Sequence, residues 1–239
     1  MELLHWDAPG PYRVAFTTRL GGVSEGPFES LNLGILTEDD PDRVVENRRR
    51  VCEALGADAE TATMAWQVHG SAVTEARPRG ILRRTVFERC DGLWTDRPGQ
   101  AMALLTADCY PVVLARANGE PALCVLHIGW RGVLAGIVES GVAALGGGAL
   151  AAAIGPGIGV CCYEVGAEVS EPFGRRFGAD VVVDGRLDLG RATESALRAA
   201  GVERIERIGG CTACEPGRFF SHRRDRGRTG RQGVVAYIS

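Results

Sequence analysis

Three residues carry the chemistry this chain can offer: His69 in Trp66-Gln67-Val68-His69-Gly70, Cys109 in Thr106-Ala107-Asp108-Cys109-Tyr110-Pro111, and His127 in Leu126-His127-Ile128-Gly129. Each stands where an apolar, strand-like run gives way to Gly, Asp or Pro. The chain has only four histidines, and two of them fall at such ends. Two imidazoles and a thiolate are good ligands for a zinc ion that keeps its fourth position open for catalysis. The same Cys with a His can instead act as a nucleophile and its base, for example on an amide. Copper also accepts a two-His, one-Cys site, but a four-copper oxidase needs many more histidines than this chain holds. The wide spacing is unlike a compact zinc finger, so the case rests on context: a polar residue ending a buried strand faces the cleft at the sheet mouth, where ligands collect.

Other residues are weighed beside the trio. Arg131 opens the helix after His127, where backbone N–H groups and a guanidinium can both face an anion; the competing reading is an ion pair at the helix start. Arg19 and Arg48 are weaker anion candidates. Asp108 either orients a ligand or caps its turn. Cys211-x-x-Cys214 has half-zinc-site spacing, but no second pair is obvious, so it reads as packing thiols, as does Cys161-Cys162. His222 reads as a solvated residue among Arg223, Arg224 and Arg226.

The elements that must position the trio follow from pattern. Tyr12 to Thr18, Thr63 to His69, Ala72 to Ala76, Gly92 to Thr95, Ala101 to Thr106, Pro111 to Ala115, Ala122 to Ile128, Ala151 to Ile154, Arg204 to Ile208 and Gly233 to Ile238 read as strands. Asp40 as cap, Pro41 at the first position and Gly56 at the end frame one helix. A second runs from Gly132 through Leu145 with an apolar face, and Glu164 to Phe177 and Leu189 to Ala200 are two more. With 239 residues, 45% of them apolar, one large domain can bury a sizeable core. A net charge of -3 gives no reason to expect a nucleic-acid partner. No apolar run approaches the ~20 residues that span a bilayer, and Met1 to Pro11 does not read as a signal peptide. The eight cysteines are therefore expected as reduced thiols in a cytoplasmic protein. Every basic side chain is Arg, so no Lys serves as a base or Schiff-base residue.

Gln67-Val68-His69-Gly70, Thr106 to Pro111 and His127 to Gly132 also resemble motifs of the YfiH family, described first as multicopper polyphenol oxidases or laccases and later as purine nucleoside phosphorylases. The likeness continues in Thr17-Thr18-Arg19, Ser30-Leu31-Asn32-Leu33-Gly34, Asn47-Arg48, Asp91-Gly92, Cys162-Tyr163-Glu164, Cys211-Thr212, Phe219-Phe220-Ser221 and Thr229 to Gln232. Gly157, His222 and Ile128 depart from it, where Cys, Tyr and Ala are usual; none touches the trio. The resemblance implies a single domain over 1–239, a layered α/β/β/α sandwich with mixed sheets similar to the catalytic domain of cytotoxic necrotizing factor toxins. It implies zinc on His69, Cys109 and His127; Arg131, Arg19, Arg48 and Asn32 are the residues expected to contact substrate. It implies phosphorolysis of adenosine, inosine and methylthioadenosine to base and ribose 1-phosphate, adenosine deamination besides, and a monomer or small homo-oligomer with no nucleic-acid or membrane partner.

Overall fold

The computed structural model describes residues 1–82 and 87–239. Two mixed sheets face each other. The first is ordered β1 (Leu3–His5), β2 (Tyr12–Thr17), β13 (Gln232–Ile238), β6 (Met102–Thr106), β3 (Thr63–Met64). The second is ordered β12 (Arg204–Arg207), β9 (Leu150–Ile154), β7 (Tyr110–Arg116), β8 (Leu123–Ile128), β5 (Gly92–Thr95), β4 (Val73–Glu75). A small hairpin, β10 (Val182–Val183) with β11 (Arg186–Leu187), stands apart. The helices are α1 (Pro41–Leu55), α2 (Trp130–Ala135), α3 (Ile137–Ala144), α4 (Ala167–Phe177) and α5 (Leu189–Ala199). No helix among the described residues is long and apolar enough to cross a membrane.

Side-chain alternation explains the layering. Successive residues of a strand point to opposite faces. In β7, Val113 and Ala115 meet Phe16, Leu104 and Val234 of the first sheet, while Val112 and Leu114 face away toward Ile137, Phe173 and Leu197 on the helices. Both faces of β7 and β8 are thus buried, which is why these strands are continuous apolar runs. On the far side of the first sheet, Ala15, Ala103 and Val235 pack on Val51, Cys52 and Leu55 of α1. The order is helix, sheet, sheet, helices, the mixed layered sandwich expected.

The framing of α1 is as the sequence predicts: the Asp40 carboxylate accepts from Asp42 N–H at 2.9 Å, and Gly56 takes the left-handed conformation at φ +78°. Three other expectations change. The strand expected over Thr63 to His69 stops at Met64, because the Gln67 side chain takes over the backbone N–H and C=O of Leu105, and a carboxylate draws off the N–H groups of the next residues. The helix after His127 breaks at Gly136, left-handed at φ +89°, into α2 and α3. The helix expected from Glu164 begins at Ala167, since Glu164 bridges Arg186 of the hairpin.

Two crossings between the sheets carry residues of the trio. The chain passes from β3 to β4 through residues 65–72 and from β6 to β7 through residues 107–109. β3 and β6 run parallel, so both crossings leave from the same end.

Candidate functional site

His69 lies on the first crossing and Cys109 on the second. His127, near the end of β8, sits opposite Pro111 at the start of β7, which brings it beside Cys109. The metal-ligating atoms of the three all lie within 4.8 Å of one another. The two imidazole rings meet edge-on, centroids 4.8 Å apart and planes at 73°. His127 is buried, Cys109 half-buried and His69 exposed, so the cluster opens to solvent on the His69 side. Gly129 clears the space between them: a Cβ there would come 3.1 Å from His69 Cδ2 and 3.3 Å from Cys109 Sγ.

Asp91, fully buried just before β5, organises the cluster. Its carboxylate accepts the N–H groups of Val68, His69 and Gly70 at 3.1, 2.8 and 2.7 Å, and faces His127 Nδ1 at 2.8 Å. Three convergent N–H donors form an anion nest, and they hold His69 at φ +61°, a conformation non-glycine residues seldom adopt. With Nδ1 on Asp91, the free Nε2 of His127 is the nitrogen left for the Cys109 side. A carboxylate behind the imidazole of a metal site is a recurrent arrangement. One soft thiolate and two imidazoles, one of them so oriented, suit a zinc or copper ion.

The charges agree with that donor set. Burial pushes the Cys109 thiol up, but the charge of His127 and the hydrogen bonds of His127 and His69 outweigh it and bring it down to about 6. Burial depresses His127 in turn, while the Cys109 thiolate and Asp91 raise it to about 9. Asp91 stays below the usual carboxylate range: burial raises it, but the bonds from His127 and the backbone more than compensate.

Around the trio stands a rim of aromatic and cationic side chains. Tyr163, whose phenol burial pushes up to about 12, feels the charges of Cys109, Arg223, Asp108 and Arg131. The Arg223 guanidinium lies 5.3 Å over the Tyr163 ring, and that of Arg131 lies 4.5 Å over Trp130 and is exposed. Asp108 proves to be a turn residue at φ +88°: its carboxylate accepts from Thr212 Oγ1 and Arg223 N–H, both at 2.7 Å, and so pins the C-terminal loops to the Cys109 turn.

The remaining residues expected to contact substrate are placed differently. Arg48, buried on α1, gives Nε and Nη1 to the carbonyls of Leu33 and Ile81. Its guanidinium is committed inside the protein, and burial lowers its pKa to about 10. Asn32, fully buried, donates to Thr37 and Asp39 and accepts from Gly34 and Arg231, so its role here is to hold two loops together. Arg19 binds the carbonyls of Glu29 and Pro216 and covers the Phe220 ring at 4.6 Å. Only Arg131 of the four stands among the groups around Tyr163 and Cys109. Asp91 and Arg223 had no functional reading in the sequence. Asp91 could have been flagged as an acid at the head of an apolar strand, whereas Arg223 was hidden in a run of arginines.

Known proteins resemble this chain over nearly its whole length. The sequence pattern of a family described as multi-copper polyphenol oxidoreductase laccase matches residues 13–239. A purine nucleoside phosphorylase of Pseudomonas aeruginosa is 40% identical, the match covering 98% of this chain and 96% of the relative. The purine nucleoside phosphorylase YfiH of Escherichia coli is 35% identical, with the same coverages of 98% and 96%. Among solved structures, the hypothetical protein YfiH of Bacillus licheniformis superposes with a TM-score of 0.89 at 34% identity, covering 99% of both chains. YlmD of Geobacillus stearothermophilus does so with 0.89 at 34%, covering 100% of this chain and 96% of its own.

Proposed function

The chain belongs to the YfiH/YlmD family, and on that premise we propose that it is a zinc-dependent purine nucleoside phosphorylase acting on adenosine, inosine and methylthioadenosine, with adenosine deaminase activity besides. The observation that carries the reading is the convergence of His69, Cys109 and His127 within 4.8 Å, with Asp91 behind His127. Zinc held there by His69, Cys109 and His127 would supply a Lewis acid. The chain's own residues do the rest. Arg131 presents a cation to phosphate from beside the Trp130 ring, and Arg223, whose Nη1 donates to the Glu164 carbonyl at 2.9 Å, adds positive charge beside Tyr163. Tyr163 and Trp130 offer the apolar surface a purine requires. In phosphorolysis a phosphate oxygen bonds to C1′ of the ribose as the bond to the base breaks, and the base leaves with the proton that the phosphate gives up. In deamination water replaces the 6-amino group and ammonia leaves.

The test is a phosphate titration of the purified protein with each nucleoside, free base and ribose 1-phosphate measured separately. Phosphate-dependent release of both is expected, and Arg131→Ala should raise the phosphate KM more than the nucleoside KM. Base release that ignores phosphate would mean hydrolysis, and no release from any purine nucleoside would end the phosphorylase reading. The Cys109 sulfur beside the His127 ring favours a second reading, a metal-free Cys–His hydrolase. Elemental analysis separates the two: Cys109→Ala should hold one zinc per chain fewer than the wild type, whereas an active wild type whose zinc content Cys109→Ala does not change supports the hydrolase. Stoichiometric copper with phenol oxidation would instead point to the oxidase chemistry of the family's description.

A further inference from the structure

Away from the trio, Cys161, Cys162, Cys211 and Cys214 bring four sulfurs together, all within 4.8 Å of one another. The sequence offers Cys211-x-x-Cys214 as half a site with no visible partner; the fold supplies the other half. β9 and β12 are adjacent and parallel, so the loops after them leave from the same end. The isolated bridge between Gly157 and Cys211 prolongs that pairing and sets the two loops side by side. Cys214 Sγ lies 3.3 Å from Cys161 Sγ and 3.4 Å from Cys162 Sγ, well beyond the roughly 2.0 Å of a disulfide bond. All four are free, two of them exposed and two half-buried, so they do not belong to a hydrophobic core.

We propose that these four cysteines form a second metal site, a tetrathiolate that takes one zinc ion. Zn–S bonds of about 2.3 Å place tetrahedral sulfurs about 3.8 Å apart, and the sulfurs here, two pairs at 3.3 and 3.4 Å and all within 4.8 Å, are close to that edge. In an iron–sulfur cluster the thiolates sit on separate irons and are spread more widely. The backbone serves the sulfurs as well. Gly159 N–H donates to Cys211 Sγ at 3.2 Å, the outer support that orients metal-bound thiolates. A Cβ at Gly159 would come 3.2 Å from Cys161 Sγ and 3.4 Å from Cys211 Sγ, so the glycine keeps the space clear. With four protein ligands the site is closed, which makes it structural rather than catalytic. Its place in the fold gives it a task. Tyr163 follows Cys162 directly, and Thr212, inside the Cys211-x-x-Cys214 turn, is the residue that holds Asp108. An ion here would fasten the loops that build one wall of the Cys109 site.

The test uses the full chain as Cys109→Ala, which removes the sulfur of the trio. Cobalt(II) titrated into it anaerobically should bind one equivalent with the intense sulfur-to-cobalt charge-transfer and tetrahedral d–d bands of a tetrathiolate, and zinc should displace it. Adding Cys211→Ser and Cys214→Ser should abolish those bands. A measurement on the wild type guards against misfolding of that variant: the four thiols should resist alkylation with zinc bound and react once a chelator has stripped it. The proposal is overturned if the thiolate bands are absent, or persist without Cys211 and Cys214, or if alkylation ignores zinc. Stoichiometric iron, or a disulfide among these residues in protein whose thiols were blocked at lysis, would overturn it as well.

Discussion

Asp91 is the residue on which the rest of the cluster hangs. One carboxylate satisfies three backbone N–H groups and an imidazole, so the orientations of His69 and His127 depend on it together. Asp91→Asn keeps the shape but replaces one acceptor oxygen with an NH2 that faces donors. We expect about a 10- to 100-fold loss of metal affinity, read by chelator competition, as for other groups that orient metal-bound imidazoles. A loss of about 1–3 kcal/mol of stability should accompany it, because buried donors are left unpaired. His69→Ala should behave differently. Its side chain is exposed, so the metal of the trio and activity should be lost while the melting temperature of the metal-free protein barely moves. A fall in that temperature as large as in Asp91→Asn would refute this division of roles.

At the scale of elements, the site depends on short, irregular segments held by regular ones. Gly129 at the N-cap of α2 has φ -98°, which any residue adopts, so Gly129→Ala tests space alone. Its Cβ would press on His69 Cδ2 and Cys109 Sγ, closer than the ~3.5–4.0 Å of ordinary carbon contact. We expect a fold unchanged by circular dichroism and kcat/KM down about 10- to 100-fold, the order of effect that small misplacements of reacting groups produce. Much of this level could be read from the sequence. Apolar runs mark β7 and β8, and Asp40, Pro41 and Gly56 mark α1, because the signals are local. The Thr63 to His69 run could not be placed. Its apolar pattern reads as a strand, and the reason it is not one, the pairing of Gln67 with Leu105 and of the next N–H groups with Asp91, joins residues distant along the chain. The trio was visible by type and context. The committed bonds of Arg48 and Asn32 were not, since an arginine in a motif looks the same whether it faces an anion or a carbonyl. The four-sulfur cluster escaped for the same reason, its halves being joined only by the parallel pairing of β9 and β12.

The whole molecule is two sheets packed on each other with helices over their outer faces, and His69 and Cys109 sit where the chain passes between the sheets. Phe16, fully buried at that contact, is a measure of how far the layers act as one. Phe16→Ala should cost about 3–5 kcal/mol in denaturant unfolding. Fluorescence and circular dichroism should still report a single transition; two separated transitions would mean that the sheets unfold independently. The position of β13 adds a consequence for biosynthesis. That strand lies between β2 and β6, with Val234 beside both Phe16 and Leu104, yet it follows every other described strand along the chain. Until it leaves the ribosome, β2 and β6 each present an unpaired edge, and such edges recruit other chains. His69 and Cys109 hang from the same unfinished sheet. β13 must therefore be made before the chemistry of the site can assemble, and a nascent chain stalled ahead of it is an aggregation hazard.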